Sequence, residues 1–259
     1  MANTRFLVTN LAGSGTLKNG SGGGAPGLDE VTGYPMTNAL QWDRYTLWKQ
    51  SSGADMNLDI DLGSASTVQA FGIFGQRGVS STTALTGVEV FTQTGSYTPG
   101  GTWTSQGTIT VGAKRDAGMI LANSVASVRS VRFAFDVASA FTLGRVWAGA
   151  LDYDMGGIYS PGARRTFVKP RIRNVALGMV TVATVVGDDR YLFDLPYESI
   201  DSTMQGKLLA VAQAARSIIY VDHDSNFYEC LLAGDQFSQE HVWNSSAVYN
   251  ASLGLEQLA

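Results

Sequence analysis

Segment 58–74 reads LDIDLGSASTVQAFGIF, in which apolar and polar positions alternate, break at Leu62-Gly63 and alternate again. A two-residue period is that of a strand, because successive side chains point to opposite faces. The pattern predicts two strands and a turn. Leu58, Ile60 and Leu62 share one face of the first strand, with Asp59 and Asp61 on a wet opposite face. In the second, Val68, Ala70, Gly72 and Phe74 share one face and Phe71 and Ile73 the other. A strand wet on one side followed by one apolar on both predicts an edge-to-interior step in a β-sandwich.

The same period recurs downstream. Segment 87–92 (GVEVFT) alternates, 97–101 (YTPGG) is a turn by its proline and glycines, and 103–111 is a further strand. Segment 128–137 places Val131, Phe133 and Phe135 inward and Arg132 outward, and 143–151 closes the series. Short strands at such intervals predict a jelly-roll or related sandwich over residues 47–151. Residues 1–46 read as an N-terminal strand (5–9) and a glycine-rich arm, too poor in side chains to order itself alone.

From residue 152 the texture changes. A polar connector leads to strands at 165–173 and 177–186, then to one amphipathic helix at 202–215. Ser202 with Gln205 fits a capping box, and Met204, Leu208, Val211 and Ala215 fall on one face. Strands at 217–222 and 227–232 flank a turn at HDSN, and 248–255 is a last strand. The expected fold is mainly β: an arm (1–46), a jelly-roll-like sandwich (47–151) and a smaller α+β domain with one helix (152–259).

Composition narrows the function. The 259 residues are 44% hydrophobic and 15% charged, with thirty glycines and a net charge of −4. No basic stripe is present for phosphate neutralisation, so no nucleic-acid partner is expected. The single cysteine, Cys230, permits no intrachain disulfide and is expected in a core strand. The most apolar run, 175–186, is shorter than the roughly 20 residues of a membrane helix, and the start of the chain lacks the apolar stretch of a signal peptide, so a soluble protein made without export is expected.

Catalytic chemistry finds little footing. The pairs Asp59/Asp61 and Asp152/Asp154 read first as polar strand or loop positions. Asp188-Asp189-Arg190 reads as a hairpin turn, and His223 lies within another turn. His241 has no second histidine at metal-ligand spacing, and no nucleophile elbow, phosphate loop or paired CxxC occurs. No catalytic residue, metal or cofactor is expected. Binding chemistry is better represented. Trp42, Tyr45 and Trp48, spaced by three, form either one helical face or a loop capping the sandwich mouth. With Arg77 and Trp103 they are candidates for stacking on a sugar ring, whose C–H face is apolar. Lys169, Arg171 and Arg173 form the one basic concentration and would share a strand face, a candidate assembly surface.

Several ordered markers carry a resemblance: Tyr34-Pro35 with Asn38, Trp48 followed by Ile60-Asp61-Leu62-Gly63, the run Gly144-Arg145-Val146-Trp147-Ala148-Gly149, and the terminal Leu253-Gly254-Leu255-Glu256. In these the chain resembles minor structural proteins of the tail tip of tailed bacteriophages, of distal tail or baseplate type, which combine a discoidin-like jelly roll with a tail-hub type domain. It departs from them after the second strand, where Gly75-Gln76-Arg77-Gly78 replaces a His-Asn-Leu element. The resemblance implies a virion protein, made in the bacterial cytoplasm, whose copies form a ring such as a hexamer beside tail tube and hub proteins. Two other roles stand beside this one, recognition of a host surface glycan and, less favoured by the motifs, cleavage of one.

Overall fold

The computed structural model describes residues 4–18, 31–41, 46–50, 56–75, 77–78, 86–110, 117–135, 141–150, 152–155, 163–168, 171–175, 181–185, 190–214, 217–241 and 248–258. In chain order the elements begin with β1 (Arg5–Leu7), the short helix α1 (Leu11–Ser14), β2 (Thr16–Lys18) and a 3-10 turn at Met36–Leu40. Next come β3 (Trp48–Gln50), β4 (Met56–Phe74), β5 (Arg77–Gly78), β6 (Thr86–Gln93), β7 (Thr104–Thr110), β8 (Ala117–Phe135), β9 (Phe141–Leu143) and β10 (Arg145–Gly149). After β11 (Tyr153–Asp154), β12 (Arg164–Val168), β13 (Arg171–Val175), β14 (Thr181–Val185) and β15 (Arg190–Asp201) follow helix α2 (Ser202–Ala212), β16 (Ile218–Val221), β17 (Phe227–His241) and β18 (Val248–Gln257). The protein is mainly β.

The chain divides into two compact units, Thr9–Leu151 and a second formed by Met1–Val8 with Asp152–Ala259. Residues 1–46 are therefore shared between them: β1 pairs with β16 and β11 of the second unit, whereas β2 pairs with β4 of the first. The glycine-rich stretch 19–30, expected as an arm, lies outside the described residues.

In the first unit a sheet in the order β10-β4-β8-β6-β7, with β2 beside β4, shares a core with a three-stranded sheet β3-β9-β5. Leu58, Ile60, Phe71, Ile73, Val131 and Phe133 from the larger sheet meet Trp48, Phe141 and Leu143 from the smaller. This is a β-sandwich. β4 is one strand, not the two expected, because its pairing with β8 continues through irregularities between Asp61 and Ser66, Ser66 and Val68, and Val68 and Ala70. Gly63 supplies the positive φ of +81° where the chain bends. Val68, an even number of residues from Leu58 and Ile60, lies with them in the core. The irregularity between Val68 and Ala70 shifts the two-residue phase, so that Phe71 and Ile73 lie there too. Gly149 of β10 is required by contact, since a Cβ there would stand 2.2 Å from the Thr9 carbonyl oxygen.

The second unit is a seven-stranded sheet in the order β11-β1-β16-β17-β18-β15-β12. Its core joins Phe6, Phe193, Tyr197, Tyr220, Leu253 and Leu255 to Leu208 and Val211 of α2, giving the α+β character. The cap of α2 is Asp201, whose carboxylate accepts from the Met204 N–H at 2.7 Å, and not the expected Ser202. A side-chain acceptor at that position satisfies one of the orphan donors of the first turn. Around HDSN, Asp222 accepts from the N–H groups of Asp224 and Asn226, both at 2.9 Å, and closes the turn that joins β16 to β17.

Candidate functional site on the outer face of the sandwich

The antiparallel register sets Asp59 of β4 directly opposite Arg132 of β8, and Phe91 of β6 opposite Arg132 on the other side. Paired residues share a face, so these polar groups lie on the side away from the Leu58, Ile60 and Phe133 core. The side is not wet. Asp59 is fully buried and Asp61 and Arg132 are each 9% exposed, which corrects the reading of the two aspartates as a solvent face.

The cover is the connection between β6 and β7. Thr98-Pro99-Gly100-Gly101 forms a β-turn closed by the Gly101 N–H on the Thr98 carbonyl at 3.0 Å, with proline at the second position where its fixed φ is favoured. Gln93 grips this turn by both ends of its amide, accepting from the Thr98 N–H at 3.0 Å and donating to the Thr98 carbonyl at 3.2 Å. The turn is thereby folded over the sheet.

Beneath it, Arg132 makes a two-pronged contact with Asp59, Nε to Oδ1 and Nη2 to Oδ2, both at 2.6 Å. The Tyr97 hydroxyl donates to Asp59 Oδ2 at 3.0 Å. Arg132 Nη2 also donates to the Pro99 carbonyl at 3.3 Å, an acceptor shared with the Trp103 indole N–H at 3.3 Å. The guanidinium lies 4.1 Å from the Trp103 ring centroid, and Tyr97 meets Trp103 edge-on at 6.4 Å. Burial, and then the Asp59 carboxylate beside it, push the Tyr97 pKa up to about 12. Tyr97 and Trp103 both stay partly exposed.

A second ion-pair group adjoins the first. Asp61 accepts from the Gly63 N–H at 2.9 Å and pairs with Arg129 at 2.8 Å and Lys18 at 3.7 Å. Burial works to raise the Asp61 pKa, but the Gly63 hydrogen bond, Arg129 and Lys18 outweigh it and hold the carboxyl below its ordinary value. Arg132 and Tyr97 occupy the Asp59 carboxylate, and Gly63, Arg129 and Lys18 occupy that of Asp61. Among the described residues no group of three metal-ligating side chains occurs, and no helix is long and apolar enough to cross a membrane.

Of the residues expected to stack on a sugar, Trp103 lies in this cluster. Trp48 does not. It is fully buried in the sandwich core, edge-on to Phe141 at 4.9 Å and Phe135 at 5.5 Å, and offers no face to a ligand. It stands on β3, so no helical face carries it. Trp42 and Tyr45 lie outside the described residues, and of Arg77 only the backbone is described, paired with Thr142. Arg171 and Arg173 alternate on β13 opposite Val185 and Ala183, their side chains and Lys169 lying outside the described residues. Tyr97 was legible only as part of a turn. Cys230 is buried, and burial, with Glu229 beside it, raises its thiol pKa well above the ordinary value.

No family model and no curated protein matches the chain. Solved structures do resemble it over about half its length. Chitosan-binding module 1 of a chitosanase/glucanase from Paenibacillus sp. IK-5 is 19% identical, with a TM-score of 0.43 over 55% of this chain and 99% of the module. CBM32-1 from a family 31 glycoside hydrolase of Clostridium perfringens is 13% identical, with a TM-score of 0.43 over 55% of this chain and 99% of that one. The lectin domain of lectinolysin, complexed with Lewis B antigen, is 11% identical, with a TM-score of 0.43 over 55% of this chain and 96% of that domain.

Proposed function

We propose that the unit Thr9–Leu151 is a non-catalytic carbohydrate-binding module whose contact platform is Trp103 flanked by Tyr97. The observation that carries this reading is the partly exposed aromatic pair seated on a buried Asp59–Arg132 ion pair. A sugar ring presents an apolar C–H face that stacks on an indole, and a ring already fixed by its neighbours loses little freedom when it binds. The test is an array of bacterial and plant glycans probed with the full chain. The expected outcome is binding to a subset of sugars that weakens about tenfold or more in Trp103→Ala. Absence of binding to every glycan, or binding unchanged in that variant, contradicts the proposal.

A second reading has its own support. The sandwich is inserted between β1 and β11, which pair with each other at Phe6 and Tyr153 in the sheet of the second unit. An accessory module carried between adjacent strands of another unit suits a virion protein of a phage tail tip, with the second unit forming a homo-oligomeric ring against tail tube and hub proteins. The two roles are compatible, because a fold does not by itself select a function. Electron microscopy and native mass spectrometry test this reading: rings and presence in purified virions are expected, whereas a strict monomer absent from particles contradicts it.

A further inference from the structure

Around Lys18, Arg129 and Trp103 on the outer face of the sandwich, the paired carboxylates are underneath and the positive charges on top. The one exposed carboxylate among the described residues of β4, β6 and β8 on that face, Glu89, stands opposite Ala134 on the far side of Phe91. The Asp59 side chain is fully buried and that of Asp61 is 12% exposed, while Arg129 and Lys18 are 33% and 35% exposed. Arg132 is 11% exposed and lies against Trp103. A ligand approaching the patch of Lys18, Arg129 and Trp103 therefore meets cations and aromatic rings before it meets Asp59 or Asp61.

The cations also retain donor capacity. Arg129 Nε stands 2.8 Å from Asp61 as an ion pair and Nη1 donates to the Gly63 carbonyl, while Nη2 makes no hydrogen bond among the described residues. Lys18 contacts Asp61 only at 3.7 Å, an ion pair longer than a hydrogen bond, so its three N–H donors make no hydrogen bond among the described residues. The two groups are neighbours by construction. Asp59 and Asp61 are two residues apart on β4, about 7 Å along the strand, and Lys18 is the cross-strand partner of Asp59.

We propose that this face binds acidic glycans, with Lys18 and Arg129 engaging carboxylate or sulfate groups while a sugar ring lies on Trp103. The proposal rests on the carbohydrate reading above and adds to it the charge class of the ligand. Guanidinium suits carboxylate and sulfate because its fork of N–H donors matches their oxygens, and Arg132 behind the indole disfavours a cationic sugar on the same ring.

The test is calorimetry on the full chain with four probes of matched length: a neutral glucan oligomer, an oligogalacturonate, a sulfated glucan oligomer and polyglutamate. At low salt, one or both acidic glycans are expected to bind about tenfold tighter than the neutral one, and the relative strength of the two identifies carboxylate or sulfate as the preferred group. That preference shrinks as salt rises from about 20 to 300 mM. It is also reduced about fivefold in the K18Q/R129Q double variant, with K18Q alone as the milder change if the double variant fails to fold. Polyglutamate is expected to bind no better than the neutral oligomer, because it offers charge without a sugar face. Neutral binding equal to acidic binding, a preference kept in the variants, or polyglutamate binding as well as the acidic sugars overturns the proposal. Trp103-dependent binding of the neutral oligomer alone overturns it while leaving the carbohydrate reading intact, and no binding of any sugar removes both.

Discussion

The two faces of the β4–β8 pair are built from alternate residues of the same strands and are stabilised by different physics. On the inner face Leu58 opposes Phe133 and Ile60 opposes Val131, all fully buried in one hydrocarbon core. One residue along, Asp59 opposes Arg132, equally hidden but held by charge and by the hydroxyl of Tyr97. Water is excluded from the inner face by another sheet and from the Asp59–Arg132 pair by the segment that carries Tyr97 and Pro99. The inner face serves stability alone, whereas the outer one keeps aromatic rings at the surface and fixes their orientation.

The contrast can be tested by breaking each face in turn. The largest effect is expected inside: Trp48→Ala empties the aromatic contacts with Phe135 and Phe141 and costs about 3–5 kcal/mol, read by urea unfolding. Glycan binding by the fraction still folded should be unchanged. On the outer face, Asp59→Asn leaves the Arg132 guanidinium covered without its counter-charge and costs about 3 kcal/mol, with binding lost as the Trp103 ring loses its support. Equal stability of this variant and the wild type would mean that the outer face is not a sealed layer.

Smaller effects follow from the hydrogen bonds. Tyr97→Phe removes the bond to Asp59 and costs about 1 kcal/mol near neutral pH. Because folding raises the Tyr97 pKa from 10.0 to about 12, its contribution is full below pH 10 and declines as pH rises through 12. Alkaline unfolding curves of wild type and variant should therefore converge over that interval. Asp61→Asn is the mildest change, below about 1 kcal/mol, since Arg129 and Lys18 are partly solvated. Folding lowers the Asp61 pKa, so the wild-type advantage is present above the ordinary value of 3.8 and disappears as pH falls below it. A wild-type advantage undiminished in acid would contradict the assignment.

Much of the architecture was legible in the alternation. Segment 58–74, the inward set Val131, Phe133 and Phe135, and the turn at 97–101 were all readable because a strand has a fixed side-chain period. The bulges in β4 were not, since Gly63 and the serines after it read equally well as a hairpin turn. The outward position of Arg132 was readable too. Its partner was not, because register between strands distant in sequence depends on the whole sheet. The same limit hid the burial of Asp59 and Asp61: alternation assigns a face but cannot tell what covers it. Trp48 illustrates the converse, where proximity to other aromatics in the sequence suggested a rim and the tertiary packing made it the centre of a core.

The central claim is that the covered outer face, and not the sandwich interior, meets the ligand. It is tested most directly by the indole N–H resonances of the full chain, assigned by single tryptophan substitutions and followed by NMR as an acidic oligosaccharide is added. The account predicts that the Trp103 resonance shifts in a saturable manner while the Trp48 resonance stays in place. A Trp103 resonance that remains fixed while another tryptophan titrates would contradict it.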